Sequence, residues 1–383
     1  MDHDLSPEEI LRYSRQLIIP EIGVKGQIKL KESSILIVGC GGLGSPLALY
    51  LSAAGIGRIG IVDHDTLDIS NLHRQVLYST KDIGKPKVES ARKRMLAINP
   101  EIRVDAYNEL FTSKNAREIS APYQIIIDGT DNIPTRYLIN DLCVFTKKTY
   151  IYGAVYRFFG QVSVFDSSVG PCYRCIFPVP PPPESILPCA VAGVVGVLPG
   201  IIGQIQATEA IKFILGIGTS LINQLLLYDA LENTTTKIKI SKNPDCIVCG
   251  KRPEIFDLID YEKFCNSTIR GNDLIEGDVN TISPGELSIK VKNGEELRII
   301  DLREPIELEI SVIPKSINVP FIKMMEEMRN WKKSQPIVLV CHIGFLSAIA
   351  QRMLTADGFK DVKSLKGGIR AWANEVDPLV RDY

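Results

Sequence analysis

Hydrophobic residues in this chain gather into short unbroken runs separated by stretches of helical spacing. The first run, ILIV at 35–38, ends directly in the glycines of GCGGLG. An apolar run bounded by glycine predicts a strand buried on both faces. SPLALYLSAAG follows with apolar residues at helical intervals, and Pro46 suits a first helical turn. A second run, RIGIV, closes on Asp63. The alternation continues. KPKVESARKRMLAI predicts a helix, YQIIIDGTDN a buried strand that ends in an acidic loop, IPTRYLINDLCVF a helix, and TYIYGAV and GQVSVFD strands. LRYSRQLII, at 11–19, reads as an amphipathic opening helix. Strands alternating with helices predict an α/β fold with a mainly parallel, doubly wound sheet.

The pattern breaks between 171 and 200. PCYRCIFPVPPPPESILPCAVAGVVG contains four consecutive prolines, so part of it is an extended crossover. GIIGQIQATEAIKFILG returns to helical spacing, and LLLYDALENTTTKIKI predicts a hairpin that leads into NPDCIVCG. Residues 251–282 are irregular and read as a connector. A second α/β unit begins near 283, where LRIIDLREP, SINVPF, PIVLVC and DVKSLKGG supply strand–loop pieces. Domains are therefore expected at 1–250 and 283–383, joined by 251–282.

Composition narrows the class. A chain of 383 residues suits two or three domains, and a net charge of −1 with pI near 6.5 gives no pull toward nucleic acid. MDHDLSPEEI lacks the basic start and apolar core of a signal peptide. The longest apolar-rich stretch, AVAGVVGVLPGII, is too short for a bilayer and contains Pro199. A cytoplasmic protein with no membrane partner is expected. Nine cysteines, four of them in two C-x-x-C pairs, point to metal or thiol chemistry rather than a disulfide framework.

Candidate chemistry falls into four groups. Gly39, Gly41 and Gly44 satisfy G-x-G-x-x-G, with an extra Gly42, where a strand ends and a helix begins. Glycines there let the backbone approach a phosphate, and the free N–H groups of the helix face an anion. Asp63 lies about 20 residues on, where a ribose-binding acid is expected. Asp65, Ser70, Asn71 and Arg74 follow in HDTLDISNLHRQ, Lys87 in GKPKVE, and Asp131 and Asn132 in DGTDN. A nicotinamide site leaves Arg74, Lys87 and Asp131 without work. A triphosphate uses them: cations neutralise the charge that develops as pyrophosphate leaves, and a carboxylate holds Mg²⁺.

Cys172 and Cys175 with Cys246 and Cys249 form the second group, a four-thiolate zinc set that would clamp the crossover, with a redox dithiol as the other reading. The third is Cys189 in LPCAVAG, read equally as core filler or as a reactive thiol. The fourth is Cys341, at the end of a buried strand and followed by HIGFL and Ser347. Converging loop N–H groups and a helix N-terminus there favour a thiolate or persulfide. The loop lacks the arginine of a cysteine phosphatase and is one residue short for one.

Many ordered motifs carry a family resemblance. LRYSRQ, VGCGGLGSP, VDHDTLDISNLHRQ, GKPK, GTDN, PCYRC, LPCAVAGVVG and NPDCIVCG resemble the MoeB/ThiF type of ubiquitin-like-protein activating enzymes. IIDLREP, the cysteine loop and KGGIRAW resemble a rhodanese domain. The whole chain is similar to the adenylyltransferase–sulfurtransferase fusions of molybdopterin synthesis and tRNA thiolation. The resemblance implies a Rossmann-like sheet with a zinc-clamped crossover, followed by a smaller α/β rhodanese domain. It implies ATP and Mg²⁺ at Gly42, Asp63, Ser70–Arg74, Lys87, Asp131 and Asn132, with Asp131 on the metal and Arg74 and Lys87 on the phosphates. It also implies a homodimer in which Arg15 reaches the neighbour's ATP site. Cys189 would resolve the sulfur-transfer intermediate and Cys341 would carry the persulfide. The partners implied are a ubiquitin-like sulfur carrier and a persulfide donor such as a cysteine desulfurase. His342 departs from the arginine usual after the rhodanese cysteine, which weakens the hold on a sulfur anion. Two other readings compete: an NAD-dependent oxidoreductase with a regulatory rhodanese module, and a C-terminal domain that only docks a sulfur donor.

Overall fold

A computed structural model describes residues 5–180, 193–267, 279–377 and 380. The chain divides into two compact units that separate near residue 268. In the first, β1 (Ser34–Val38) pairs in parallel with β2 (Arg58–Val62) on one side and β4 (Ile125–Asp128) on the other. With β3 (Arg103–Tyr107), β5 (Thr149–Tyr156), β6 (Phe159–Phe165), β7 (Gln224–Asp229) and β8 (Thr234–Lys239), the sheet runs 3-2-1-4-5-6-7-8. Pairing is parallel from β3 to β5 and antiparallel from β5 to β8.

Alternation along the strands sends side chains to two cores. Ile35, Ile37, Ile59, Ile61, Ile125 and Ile127 face the helices Gly44–Ala54, Lys87–Ile98 and Val197–Leu215. Leu36, Val38 and Ile126 face the helix Ile133–Thr146 and a cluster of tyrosines. Residues buried on both faces need no polar alternation, which is why these strands read as continuous apolar runs. The helix Tyr261–Ser267, within the segment read as a connector, places Tyr261 and Cys265 in this second core. No helix among the described residues is long and apolar enough to cross a membrane.

The topology positions the site. Strand order reverses at β1: β2 and β3 are added on one side of it, and the chain then crosses back to add β4 and β5 on the other. Loops at the carboxyl ends of β1, β2 and β4 therefore surround one crevice. They are the loops of Gly39, Asp63 and Gly129.

The second unit holds an all-parallel sheet, in the order β11 (Ile317–Asn318), β10 (Arg298–Asp301), β12 (Ile337–Val340), β13 (Val362–Leu365), β9 (Thr281–Ile282). Helices pack on both of its faces.

Candidate active site

Gly39 leaves β1 at φ 93°, a conformation that side-chain-bearing residues rarely adopt. A Cβ on it would lie 2.8 Å from the Gly129 carbonyl, so the turns after β1 and β4 touch. A Cβ on Gly44 would overlap the Gly39 carbonyl oxygen. Gly44→Ala is therefore expected to lower stability by about 1–3 kcal/mol through forced backbone movement, measured as a lower urea midpoint.

Asp63 braces this turn. Its Oδ2 accepts from the Cys40 N–H at 2.8 Å and its Oδ1 from the Asp65 N–H at 2.8 Å. The acid read as a ribose ligand thus also ties the β1 turn to the β2 loop. The Tyr78 hydroxyl donates to the Cys40 carbonyl at 2.8 Å. Burial, then nearby negative groups, raises this phenol far above its ordinary value, so it stays a donor. Gly42 lies under Arg74 and Pro199: a Cβ there would sit 3.6 Å from Arg74 Cδ and 3.1 Å from Pro199 Cβ.

Lys87 begins the helix Lys87–Ile98 with its side chain 7 % exposed, and its Nζ donates to Asp65 Oδ2 at 2.7 Å. A lysine this buried requires a counter-ion. Ser70 and Asn71 lie in a short 3₁₀ turn that Asp68 caps through the Ser70 N–H at 2.8 Å. Arg74 Nη1 donates back to the Ser70 carbonyl at 3.0 Å. Asp131 is exposed, and Asn132 caps the helix Ile133–Thr146 by accepting from the Thr135 N–H at 2.9 Å.

The structure therefore gathers the glycine turn, Asp63, Asp65, Lys87 and Arg74 through direct contacts, and brings the loop of Asp131 against Gly39. Arg15 stands apart: it is exposed on the last turn of the helix Pro7–Leu17, and among the described residues no hydrogen bond joins it to the others.

One layer of the site pairs an acid already visible at a strand end in the sequence, Asp128, with buried partners that were not expected. Asp128 is fully buried beneath the Asp131 loop. Its carboxylate accepts from Thr130 N–H at 2.8 Å, Thr130 Oγ1 at 2.7 Å and Tyr150 OH at 2.8 Å, and Arg136 lies 3.5 Å away. Desolvation raises the Asp128 carboxyl, while Arg136 and the hydrogen bonds pull it down. Gln206 donates to the Asp128 carbonyl at 2.8 Å. The available signals are an acid closing an otherwise apolar strand and a glutamine inside an apolar helix.

The four paired cysteines converge. Cys172 Sγ lies 3.8 Å from Cys175 and 3.6 Å from Cys246, and Cys175 lies 3.4 Å from Cys249. All four sulfurs fall within 4.8 Å of one another. Tetrahedral Zn–S bonds of about 2.3 Å place sulfurs roughly 3.8 Å apart, so this donor set fits zinc.

In the second unit Cys341 follows β12 and is 2 % exposed. The Ser347 N–H points at its sulfur at 3.4 Å, and the Ser347 hydroxyl lies at the same distance. That hydroxyl also meets Ser364 Oγ at 2.8 Å. Gly344, at φ 88°, turns the loop into the helix Phe345–Ala356. Ile343 and Phe345 are exposed at the loop's surface. Cys189 lies outside the described residues.

Comparison with known proteins places these features. The ThiF family model matches residues 13–248, and the rhodanese-like domain model matches 283–375. The adenylyltransferase and sulfurtransferase MOCS3 of Drosophila yakuba is 43% identical over 391 residues, covering 99% of this chain and 86% of that protein. The sulfur carrier protein adenylyltransferase of Thermus thermophilus is 52% identical over 263 residues, covering 67% of this chain and 97% of that protein. A crystal structure of E. coli MccB with ATP superposes with a TM-score of 0.54 at 25% identity, covering 62% of this chain and 74% of that one. None of these relatives supports the oxidoreductase reading. With its switch-point glycine turn, its four converging thiols and its separate cysteine loop, the chain belongs to the ThiF family and carries a C-terminal rhodanese-like domain, in the arrangement of the MOCS3 adenylyltransferase–sulfurtransferases.

Proposed function

We propose that this enzyme adenylates the C-terminal glycine carboxylate of a ubiquitin-like sulfur carrier and then converts it to a thiocarboxylate, serving molybdenum cofactor biosynthesis or tRNA thiolation. The observation that carries the reading is Lys87: a buried cation beside the glycine turn, held by the half-exposed carboxylate of Asp65, whose N–H donates to Asp63. The carrier carboxylate attacks the α-phosphorus of ATP, the bond to the β-phosphate oxygen breaks, and pyrophosphate leaves. Lys87 and Arg74 neutralise the departing charge, the glycine turn holds the phosphates, and Asp63 orients the ribose alongside Asp65, Ser70 and Asn71. Asp131, with Asn132 beside it, would hold Mg²⁺, which would supply further charge neutralisation.

Adenylation turns a poor electrophile into a good one, and a Cys341 persulfide is the nucleophile suited to it. Its terminal sulfur bonds to the acyl carbon and AMP departs. The Cys189 thiolate then attacks the Cys341 sulfur of the acyl disulfide, releasing the thiocarboxylate and leaving a Cys189–Cys341 disulfide that an external thiol reduces before the next turnover. The persulfide comes from a protein donor such as a cysteine desulfurase. The enzyme acts as a cytoplasmic homodimer, with Arg15 of each copy completing the neighbour's ATP site. Leu11 and Ile18, 78% and 72% exposed on and just after the opening helix, support a covered face there. Pyrophosphate exchange with the carrier present tests the division of labour: Asp131→Ala is expected to abolish exchange and Cys341→Ala to leave it intact. Loss of exchange in a folded Cys341→Ala chain would overturn the assignment.

A further inference from the structure

Between the first pair of zinc-site cysteines stands a fully buried arginine. Arg174 and Asp141 are both 0% exposed, joined by two parallel hydrogen bonds: Nε to Oδ1 at 2.8 Å and Nη2 to Oδ2 at 2.8 Å. The Asp141 carboxylate is saturated by two more donors, Asn140 Nδ2 and Tyr261 OH, each at 2.9 Å. Asn140 Oδ1 accepts from the Tyr173 N–H at 2.7 Å, so the cysteine knuckle's backbone is held as well. The guanidinium lies 4.7 Å from the Tyr137 ring centroid and 4.5 Å from that of Phe264. Tyr137 OH donates to the Phe177 carbonyl at 2.9 Å.

Three of these groups, Tyr137, Asn140 and Asp141, belong to the helix Ile133–Thr146. Its N-cap is Asn132, next to Asp131, and Asp141 lies about 14 Å farther along the axis at 1.5 Å per residue. Arg136, on the same helix, donates to the Thr130 carbonyl at 3.3 Å and faces Asp128, so the DGTDN loop is fastened to the helix from below. The helix is thus clamped at one end by the cysteine knuckle and carries the Asp131 loop at the other.

We infer that Arg174 and Asp141 are positioning residues that transmit the state of the zinc knuckle to Asp131 and Asn132, so that zinc occupancy and nucleotide affinity are coupled. The inference rests on the reading of that loop as part of the nucleotide site. A buried ion pair cannot be parted without stranding a charge. When the knuckle opens, Arg174 either leaves Asp141 uncompensated or drags the helix with it. Either course displaces the loop. Coupling of this kind is reciprocal: if zinc tightens nucleotide binding, nucleotide must retain zinc by the same factor.

The test uses the full chain and two measurements: the ATP dissociation constant by equilibrium dialysis, and zinc release to a chromophoric chelator. Stripping zinc is expected to weaken ATP binding about tenfold, a common size for such coupling, and saturating ATP to slow zinc release. Arg174→Lys keeps the charge but loses the fork, so it should weaken ATP binding and speed zinc release together while circular dichroism stays unchanged. If Arg174→Lys does not fold, Tyr261→Phe, which removes one hydrogen bond from Asp141, should move both readouts in the same direction by a smaller factor. Zinc-loaded wild-type protein that binds no ATP would overturn the nucleotide reading and the coupling with it. ATP bound equally with and without zinc, and zinc release indifferent to ATP, would overturn the coupling alone.

Discussion

Lys87→Ala should slow carrier-dependent pyrophosphate exchange by about 10²–10³-fold, the usual cost of removing one preorganised charge partner from a developing anion. The expectation follows from where the side chain sits. Lys87 is buried to 7% exposure and held by Asp65, so its ammonium is fixed before nucleotide arrives and little reorganisation accompanies its work. The substitution does more than delete a cation. It leaves the Asp65 carboxylate, half-exposed beside the glycine turn, facing a triphosphate without its partner. Like charges so placed repel. Adding Asp65→Ala to Lys87→Ala should therefore restore about fivefold of the lost rate, a coupling near 1 kcal/mol as expected for contacting residues. Exchange at wild-type rate in Lys87→Ala would remove the phosphate role from this residue. A double variant no faster than the single would show that Asp65 does not sense the triphosphate.

Sequence legibility followed burial and distance along the chain. The β1–turn–helix–β2 unit was readable because its strands are buried on both faces and its glycines are forced by backbone contact at Gly39 and Gly44. The helix Gly23–Glu32 left no clear pattern: it buries only Gly26, Gln27 and Leu30. β3, at the sheet's edge, is partly exposed and mixes charge with apolar residues. β9 is two residues long and falls just before the expected start of the second unit at 283.

The site divides in the same way. Groups clustered within one loop, such as Asp63 and Asp65 or Asp131 and Asn132, could be named from their neighbours. Groups that work through partners from elsewhere could not. Arg174 reaches Asp141 across 33 positions, and Tyr261 reaches the same carboxylate across 120. Each reads in sequence as an ordinary polar residue. Only the packed fold shows that they share one carboxylate.

Cys341→Ala is expected to abolish thiocarboxylate formation while leaving pyrophosphate exchange within about twofold of wild type, because the variant removes the proposed nucleophile and nothing in the first unit's site. The rhodanese loop offers a graded version of the same experiment. With histidine in place of arginine at 342, no permanently charged residue follows the cysteine. The described contacts to its sulfur are the Ser347 N–H and the Ser347 hydroxyl, both at 3.4 Å. Ser347→Ala keeps the first and loses the second, along with the tie to Ser364. A hydrogen bond to a charged group contributes about 1.5–3 kcal/mol, so sulfur transfer in Ser347→Ala should fall by roughly 10–100-fold. Mass spectrometry after incubation with a persulfide donor separates loading from transfer. Wild-type chain should gain one sulfur on Cys341, about 32 Da, placing it on the persulfide step of the cysteine oxidation ladder, and Cys341→Ala should gain none. A folded wild-type domain that never takes up sulfur from any persulfide donor would reduce the second unit to a docking module. The carrier's activated carboxylate would then have to receive its sulfur from another protein.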